Sequence, residues 1–185
     1  GKKYSGVMIK EFKFKLTKKQ KDLCESICDP YTQKLPLFFG YTNTNDNGKI
    51  GPVFTHYLRL TSEVDSEGFP NSDHLYEFEN IFKTFCYRKK ITYNRILRSA
   101  INFTTHQPDD TEAYIHCDHD FPHKQFLMYL NNFDGGSTFF YDNNEKVIYK
   151  STPMKYNVIM SDGELHSQGY CAPQQYRVAL VVTYV

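Results

Sequence analysis

The chain opens on alternation. From Val7 to Leu16, VMIKEFKFKL sets Ile9, Phe12 and Phe14 among lysines. This predicts a strand near a sheet edge, where Lys discourages pairing with another chain. Thr17 then offers an N-cap to a helix, TKKQKDLCESICD, that ends near Asp29-Pro30. NTNDNGKIG (43–51) predicts a turn-rich loop, PVFTHYLRL (52–60) a strand, and the polar stretch 61–71, with Gly68 and Pro70, a mobile loop. A second helix starts at Asn71 or Ser72 and runs through SDHLYEFENIFKTFCYRKK. Its Leu75, Phe78, Ile81, Phe82 and Phe85 fall on one apolar stripe, and Lys89 and Lys90 sit at the end the helix dipole prefers.

After Ile91 the pattern shortens. Strands are predicted at 94–104, 113–117, 125–130, 137–141, 146–149, 156–160 and 176–184, separated by QPDD, NNFDGG, DNN, SDG and CAPQQ. Short strands at regular spacing predict a sandwich or barrel. In the last strand Val178, Leu180, Val182 and Tyr184 share one phase, fit to pack under the helices. Arg177 and Thr183 occupy the other, which faces a barrel interior that admits polar groups. The expected fold is mainly β with N-terminal helices: a jelly-roll core packed against an outer helix layer. One domain is expected over 1–185, with 1–93 as support and 94–185 as the core that carries the site.

Composition narrows the classes. Of 185 residues, 40% are hydrophobic and 23% charged, as in a folded globular chain. A net charge of +1 excludes a strong nucleic-acid footprint. Charge is uneven: residues 1–21 hold eight Lys and one Glu, and residues 109–145 eight acids and one Lys. Solvated faces of opposite sign are the favoured reading, and an acidic half surrounding a cationic site the weaker one. No apolar run is long enough to span a membrane. The opening GKKYSGVMIK lacks the apolar centre of a secretion signal. Cys24, Cys28, Cys86, Cys117 and Cys171 are irregularly spaced and read as free thiols. A cytoplasmic location is therefore expected, the host cytoplasm if a phage encodes the chain.

His116 and Asp118 stand two apart, so on a strand they share a face and reach one metal ion together. His166, 48 residues beyond Asp118, is the best candidate third ligand. Two His and one carboxylate leave adjacent positions open, as in non-haem Fe(II) oxygenases. Arg177, eleven residues after His166, sits on the inward phase of the last strand. A buried guanidinium is costly without an anion, and its fork suits a carboxylate. A dicarboxylate such as 2-oxoglutarate would span metal and Arg177. Tyr129, on the phase of Leu127, could give a further donor or be a core aromatic. Cys117 should point away from the metal. His119, Asp120 and His123 could be alternative ligands or outer partners, with solvent exposure the simplest expectation. Arg98 and Asn102 share a phase and could line the cosubstrate pocket or be satisfied structural polars. Gly135-Gly136 reads as a tight turn.

From about Arg95 to Val185 the sequence resembles the 2-oxoglutarate/Fe(II)-dependent oxygenases, prolyl-hydroxylase-like branch. His116-Cys-Asp118, FLMYLNNFDGGSTFFY (126–141), NVIMSDGELHSQGY (157–170) and Tyr176-Arg177-Val178-Ala179 carry the likeness. The layout also resembles small oxygenases of marine bacteriophages. The resemblance implies a double-stranded β-helix, Fe(II) on His116, Asp118 and His166, and 2-oxoglutarate on Arg177 with help from Tyr129. It implies O2 as oxidant, ascorbate as an occasional reductant, succinate and CO2 as products, and hydroxylation of a C–H bond, with peptidyl proline as a candidate. Collagen-type prolyl hydroxylases usually carry Lys where Arg177 stands, and the oxygen-sensing type Arg. The nucleic-acid demethylase branch has an Asn soon after HxD and a second Arg late in the chain; here stand His119 and an Arg-free 180–185. Two other readings compete. One is the same chemistry on a free amino acid, nucleotide or sugar, the loops 40–52, 61–72 and 105–113 deciding between substrates. The other is a non-catalytic jelly-roll module, although cupins show HxH with a Glu, absent at 116–118. The sequence leaves the oligomeric state open.

Overall fold

The computed structural model describes residues 8–29, 31, 34–42, 51–61, 67–107 and 113–185. The strands are β1 (Lys10–Lys13), β2 (Phe38–Thr42), β3 (Gly51–Leu60), β4 (Phe69–Pro70), β5 (Ile96–Thr105), β6 (Lys124–Tyr129), β7 (Thr138–Tyr141), β8 (Val147–Lys150), β9 (Asn157–Ser161), β10 (His166–Gln168) and β11 (Tyr176–Tyr184). The helices are α1 (Lys18–Cys28) and α2 (Leu75–Lys89).

The strands form two antiparallel sheets. The larger runs β1-β9-β6-β11-β5-β3-β2, with β4 paired to β3; the smaller runs β10-β7-β8. Among the described residues strand β1 pairs with β9 alone, at the edge, as its lysines predict. Alternation decides what each face meets. On β11, Val178, Leu180, Val182 and Tyr184 join Phe126, Met128, Val158 and Met160 in one apolar layer with Phe78, Ile81, Phe82 and Phe85 of α2. The opposite phase, Ala179 and Val181, packs with Leu127, Tyr129, Phe140 and Ile159 in a second, smaller core. The mainly β architecture with outer helices is the one expected from the sequence.

Local signals account for the helix ends. Thr17 Oγ1 accepts from Gln20 N (3.2 Å) and Gln20 Oε1 accepts from Thr17 N (3.0 Å), a reciprocal capping box at α1. Helix α2 begins at Leu75, later than the sequence predicts. Ser72 is drawn into the preceding turn, its hydroxyl accepting from His74 N (3.1 Å) and bonding His56 Nε2 (2.7 Å). Within α2, Glu79 is fully buried on the apolar stripe. Arg59 of β3 meets it with two parallel bonds, Nε to Oε1 (2.7 Å) and Nη2 to Oε2 (3.0 Å), and Ser99 Oγ adds a third (2.9 Å). This buried ion pair ties the helix layer to the sheet.

Several sequence expectations change. The strand expected at Val7–Leu16 is regular only over β1. The strand expected at 113–117 is an isolated bridge, His116 opposite His166, because the chain bends at Asp118 instead of continuing a ladder. Strand β4 occupies part of the expected loop 61–71. Strands β2 and β10 were not predicted; Gly40 interrupts the pattern of β2, and β10 is three residues long. The turn-rich stretch predicted at 43–51 lies outside the described residues except for Gly51, which starts β3.

Candidate metal centre and the cavity around it

Backbone pairing brings the distant ligands together. His116 N donates to His166 O and His166 N to His116 O, both at 2.9 Å. Their rings lie 4.5 Å apart, centroid to centroid. Asp118 follows at the bend, its Oδ2 3.8 Å from His166 Nε2. One donor atom from each of His116, Asp118 and His166 falls within 4.8 Å of the others; among the described residues this is the one such group of three or more.

The rings are oriented for ligation. His116 Nδ1 bonds the carbonyl of Tyr114 (3.2 Å) and His166 Nδ1 that of Glu164 (2.9 Å). A carbonyl only accepts, so each Nδ1 carries a hydrogen, which leaves Nε2 as the ring nitrogen available for ligation. Burial, then the neighbouring His166, lowers the His116 pKa to about 4, so the ring is neutral at neutral pH. Burial alone would raise the Asp118 pKa, but Arg98, His166 and His116 together hold it well below the usual carboxylate range. Two imidazoles and a carboxylate are a donor set that fits Fe(II).

Arg98 Nη2 bonds Asp118 Oδ1, and Gln125 Nε2 bonds Oδ2 while lying 3.4 Å from His166 Nε2. From the sequence, Arg98 is expected to line the cosubstrate pocket or to be a satisfied structural polar, and Gln125 is not singled out. Gln125 lies two and four residues before Leu127 and Tyr129, so its inward phase was legible; its partner was not.

The three donors open on a cavity of 480 Å³ between the sheets, which Arg177 also lines. Arg177 is 2% exposed. Its Nε donates to Gly136 O (3.0 Å), Nη1 to Gln168 Oε1 (3.0 Å) and Nη2 to Thr138 Oγ1 (3.1 Å). All three acceptors are neutral, and among the described residues two of its five N–H groups find no acceptor and no acid pairs with it. Gly136 makes this approach possible. At φ +63° it takes a left-handed turn, and a Cβ there would come within 2.7 Å of the Phe133 ring.

Tyr129 lies behind Arg177. Its ring sits 5.2 Å from the guanidinium carbon, and its hydroxyl is 2.9 Å from Thr138 Oγ1 and 2.7 Å from Ser151 Oγ. Thr138 thus stands between the phenol and the guanidinium. Arg98 and Asn102 both line the cavity, and Asn102 Oδ1 accepts from Thr55 Oγ1 (3.1 Å). Cys117 is exposed, its thiol directed to Gly163 O (3.5 Å). His119 and His123 depart from the expected exposure. His119 Nε2 bonds Thr183 Oγ1 (2.8 Å) and its ring stacks on Phe121, and His123 is buried; Asp120 alone is exposed. The polar residue at 183 on the inward phase supplies the partner that draws His119 in.

No family model matches the chain, and no curated protein matches it. Solved structures do. An oxidoreductase of the 2OG-Fe(II) oxygenase family from Burkholderia pseudomallei is 17% identical, with a TM-score of 0.63 over 86% of this chain and 78% of that one. A Trichoplax adhaerens prolyl hydroxylase, in complex with a hypoxia inducible factor degradation-domain peptide, is 13% identical, with a TM-score of 0.62 over 95% of this chain and 82% of that one. The non-haem α-ketoglutarate-dependent carbocyclase SnoK of nogalamycin biosynthesis is 8% identical, with a TM-score of 0.62 over 95% of this chain and 78% of that one. The chain has the fold of the 2OG-Fe(II) oxygenases, with its jelly-roll core. Within that fold the likeness takes in a prolyl hydroxylase as well as an enzyme of small-molecule biosynthesis.

Proposed function

We propose that the protein is an Fe(II)/2-oxoglutarate-dependent dioxygenase that hydroxylates a C–H bond and releases succinate and CO2. The observation that carries this reading is one cavity lined both by the His116, Asp118 and His166 donors and by a buried Arg177 that has no acidic partner among the described residues. The chain acts as a single domain, with residues 94–185 carrying the metal-binding and cosubstrate residues, and 1–93 supporting them and also lining the cavity through Phe38, Val53, Thr55 and Tyr57.

His116, Asp118 and His166 would hold the iron, and Arg177 the far carboxylate of 2-oxoglutarate. Bound Fe(II) would supply the activation of O2 that no side chain here can perform. The protein does the rest by positioning. Gln168 and Thr138 fix the guanidinium, and Tyr129 fixes Thr138, so the phenol helps from one bond away. Ala100, Leu127 and Val181 line the cavity with apolar surface and limit water beside the reacting centre. Phe38 and Tyr57 line the same cavity while staying exposed, which marks its mouth and the side where substrate docks.

Peptidyl proline is the favoured substrate, because the resemblance in the 126–141 segment and the peptide-bound Trichoplax hydroxylase point the same way. The same chemistry on a small molecule is the second reading, supported by the likeness to SnoK. A bacteriophage origin rests on the sequence resemblance alone.

The direct test is conversion of 2-oxoglutarate to succinate by Fe(II)-loaded protein without substrate. Turnover is expected; a protein that neither binds nor consumes 2-oxoglutarate overturns the reading. Peptide and small-molecule libraries screened for a one-oxygen mass gain then separate the substrate classes. Arg177→Leu is expected to weaken 2-oxoglutarate binding by about 10- to 150-fold, since a hydrogen bond to a charged group contributes about 1.5–3 kcal/mol. Equilibrium binding to the metal-loaded protein measures this, and unchanged affinity would remove Arg177 from the cosubstrate site.

A further inference from the structure

Both oxygens of Asp118 are already engaged, and by groups of different character. Arg98 reaches Oδ1 from β5, and its side chain is 23% exposed beside a carboxylate that is 7% exposed. Oδ2 is the oxygen that faces His166 Nε2, at 3.8 Å. The Gln125 amide reaches that same Oδ2 and lies 3.4 Å from that same Nε2. It therefore points its hydrogens at the lone pairs a metal ion would take.

We infer that Arg98 is a positioning residue that reserves Oδ1 of Asp118, so that the carboxylate offers a metal one oxygen, and that the Gln125 amide is a stand-in displaced when the ion enters. The inference rests on the metal-centre reading above. Its chemistry is general. A carboxylate oxygen held by a guanidinium is a poorer metal donor than the other oxygen, which favours binding through one oxygen and leaves the neighbouring coordination positions free for a bidentate cosubstrate and O2. An amide N–H can satisfy a ligand's lone pair only while the ion is away. The two neighbours of one carboxylate are thus assigned opposite effects on metal binding.

Co(II) titration of the apoprotein, followed by its visible d–d spectrum, tests this without turnover. Arg98→Leu is expected to weaken Co(II) binding by about 10- to 100-fold, the range for losing a group that orients a ligand. Its bands should also change, as the carboxylate turns and the coordination number alters. Arg98→Lys, which keeps a charged donor, should restore affinity to within about threefold of the parent. Gln125→Leu should bind Co(II) at least as tightly as the parent. The Gln125 variant also keeps the inference testable if Arg98→Leu does not fold. Unchanged affinity and spectrum in Arg98→Leu, a Lys variant as weak as the Leu variant, or a tenfold loss in Gln125→Leu would each overturn the inference. If the parent itself binds no Co(II), the metal-centre reading fails instead, so the two failures are distinguishable.

Discussion

His166→Ala is expected to lower Fe(II)-dependent consumption of 2-oxoglutarate by at least about a thousandfold. A catalytic metal supplies several kcal/mol of stabilisation, and each 1.4 kcal/mol is tenfold in rate. The substitution removes one of the three clustered donors. It leaves the local fold intact, because His166 is held in place by main-chain bonds: the bridge to His116 and the pairing with Phe140 of β7. Loss of activity should therefore come with loss of bound metal, while the apoprotein unfolds within a few degrees of the parent. Turnover within tenfold of the parent would remove His166 from the ligand set. A non-catalytic jelly-roll module would show neither the activity nor its loss.

The second large effect is on stability. Arg59→Leu strands the Glu79 carboxylate, which is fully buried and held by both guanidinium bonds and by Ser99 Oγ. Removing one partner of a buried ion pair costs about 3–5 kcal/mol, because the other charge stays buried without compensation. At about 2–4 °C per kcal/mol for a domain of this size, the midpoint should fall by about 6–20 °C. Replacing both residues with Leu should recover much of that loss, since an apolar pair of similar volume has no charge to desolvate. Thermal unfolding of the single and double variants measures both effects. A single variant as stable as the parent would show that solvent reaches Glu79.

These two sites differ in how far the sequence revealed them. The convergence of His116, Asp118 and His166 was legible because a two-residue spacing, a distal His and an inward Arg form a pattern that few other chemistries require. The phases of β11 were legible for a simpler reason: Val178, Leu180, Val182 and Tyr184 alternate without interruption against Arg177 and Thr183. Glu79 had a signal that was not used. It stands four residues after Leu75 and three before Phe82, on the apolar stripe of α2, and a charge there demands a partner. Nothing local names Arg59 as that partner, because the pairing depends on β3 crossing under α2. Arg98 and Gln125 were hidden in the same way. Each lies on an inward phase, but their common target, Asp118, comes into reach only where the chain bends after the His116 bridge. Contacts across sheets and layers are set by tertiary geometry, and residue periodicity records only which face a side chain takes.

The most direct measurement is a crystal structure of the protein loaded with Mn(II), a redox-quiet substitute for Fe(II), and 2-oxoglutarate, with anomalous scattering to locate the metal. The account predicts one ion bonded to His116 Nε2, one oxygen of Asp118 and His166 Nε2, with the far carboxylate of 2-oxoglutarate on Arg177. An ion bound elsewhere, or a 2-oxoglutarate molecule that leaves Arg177 untouched, would contradict it.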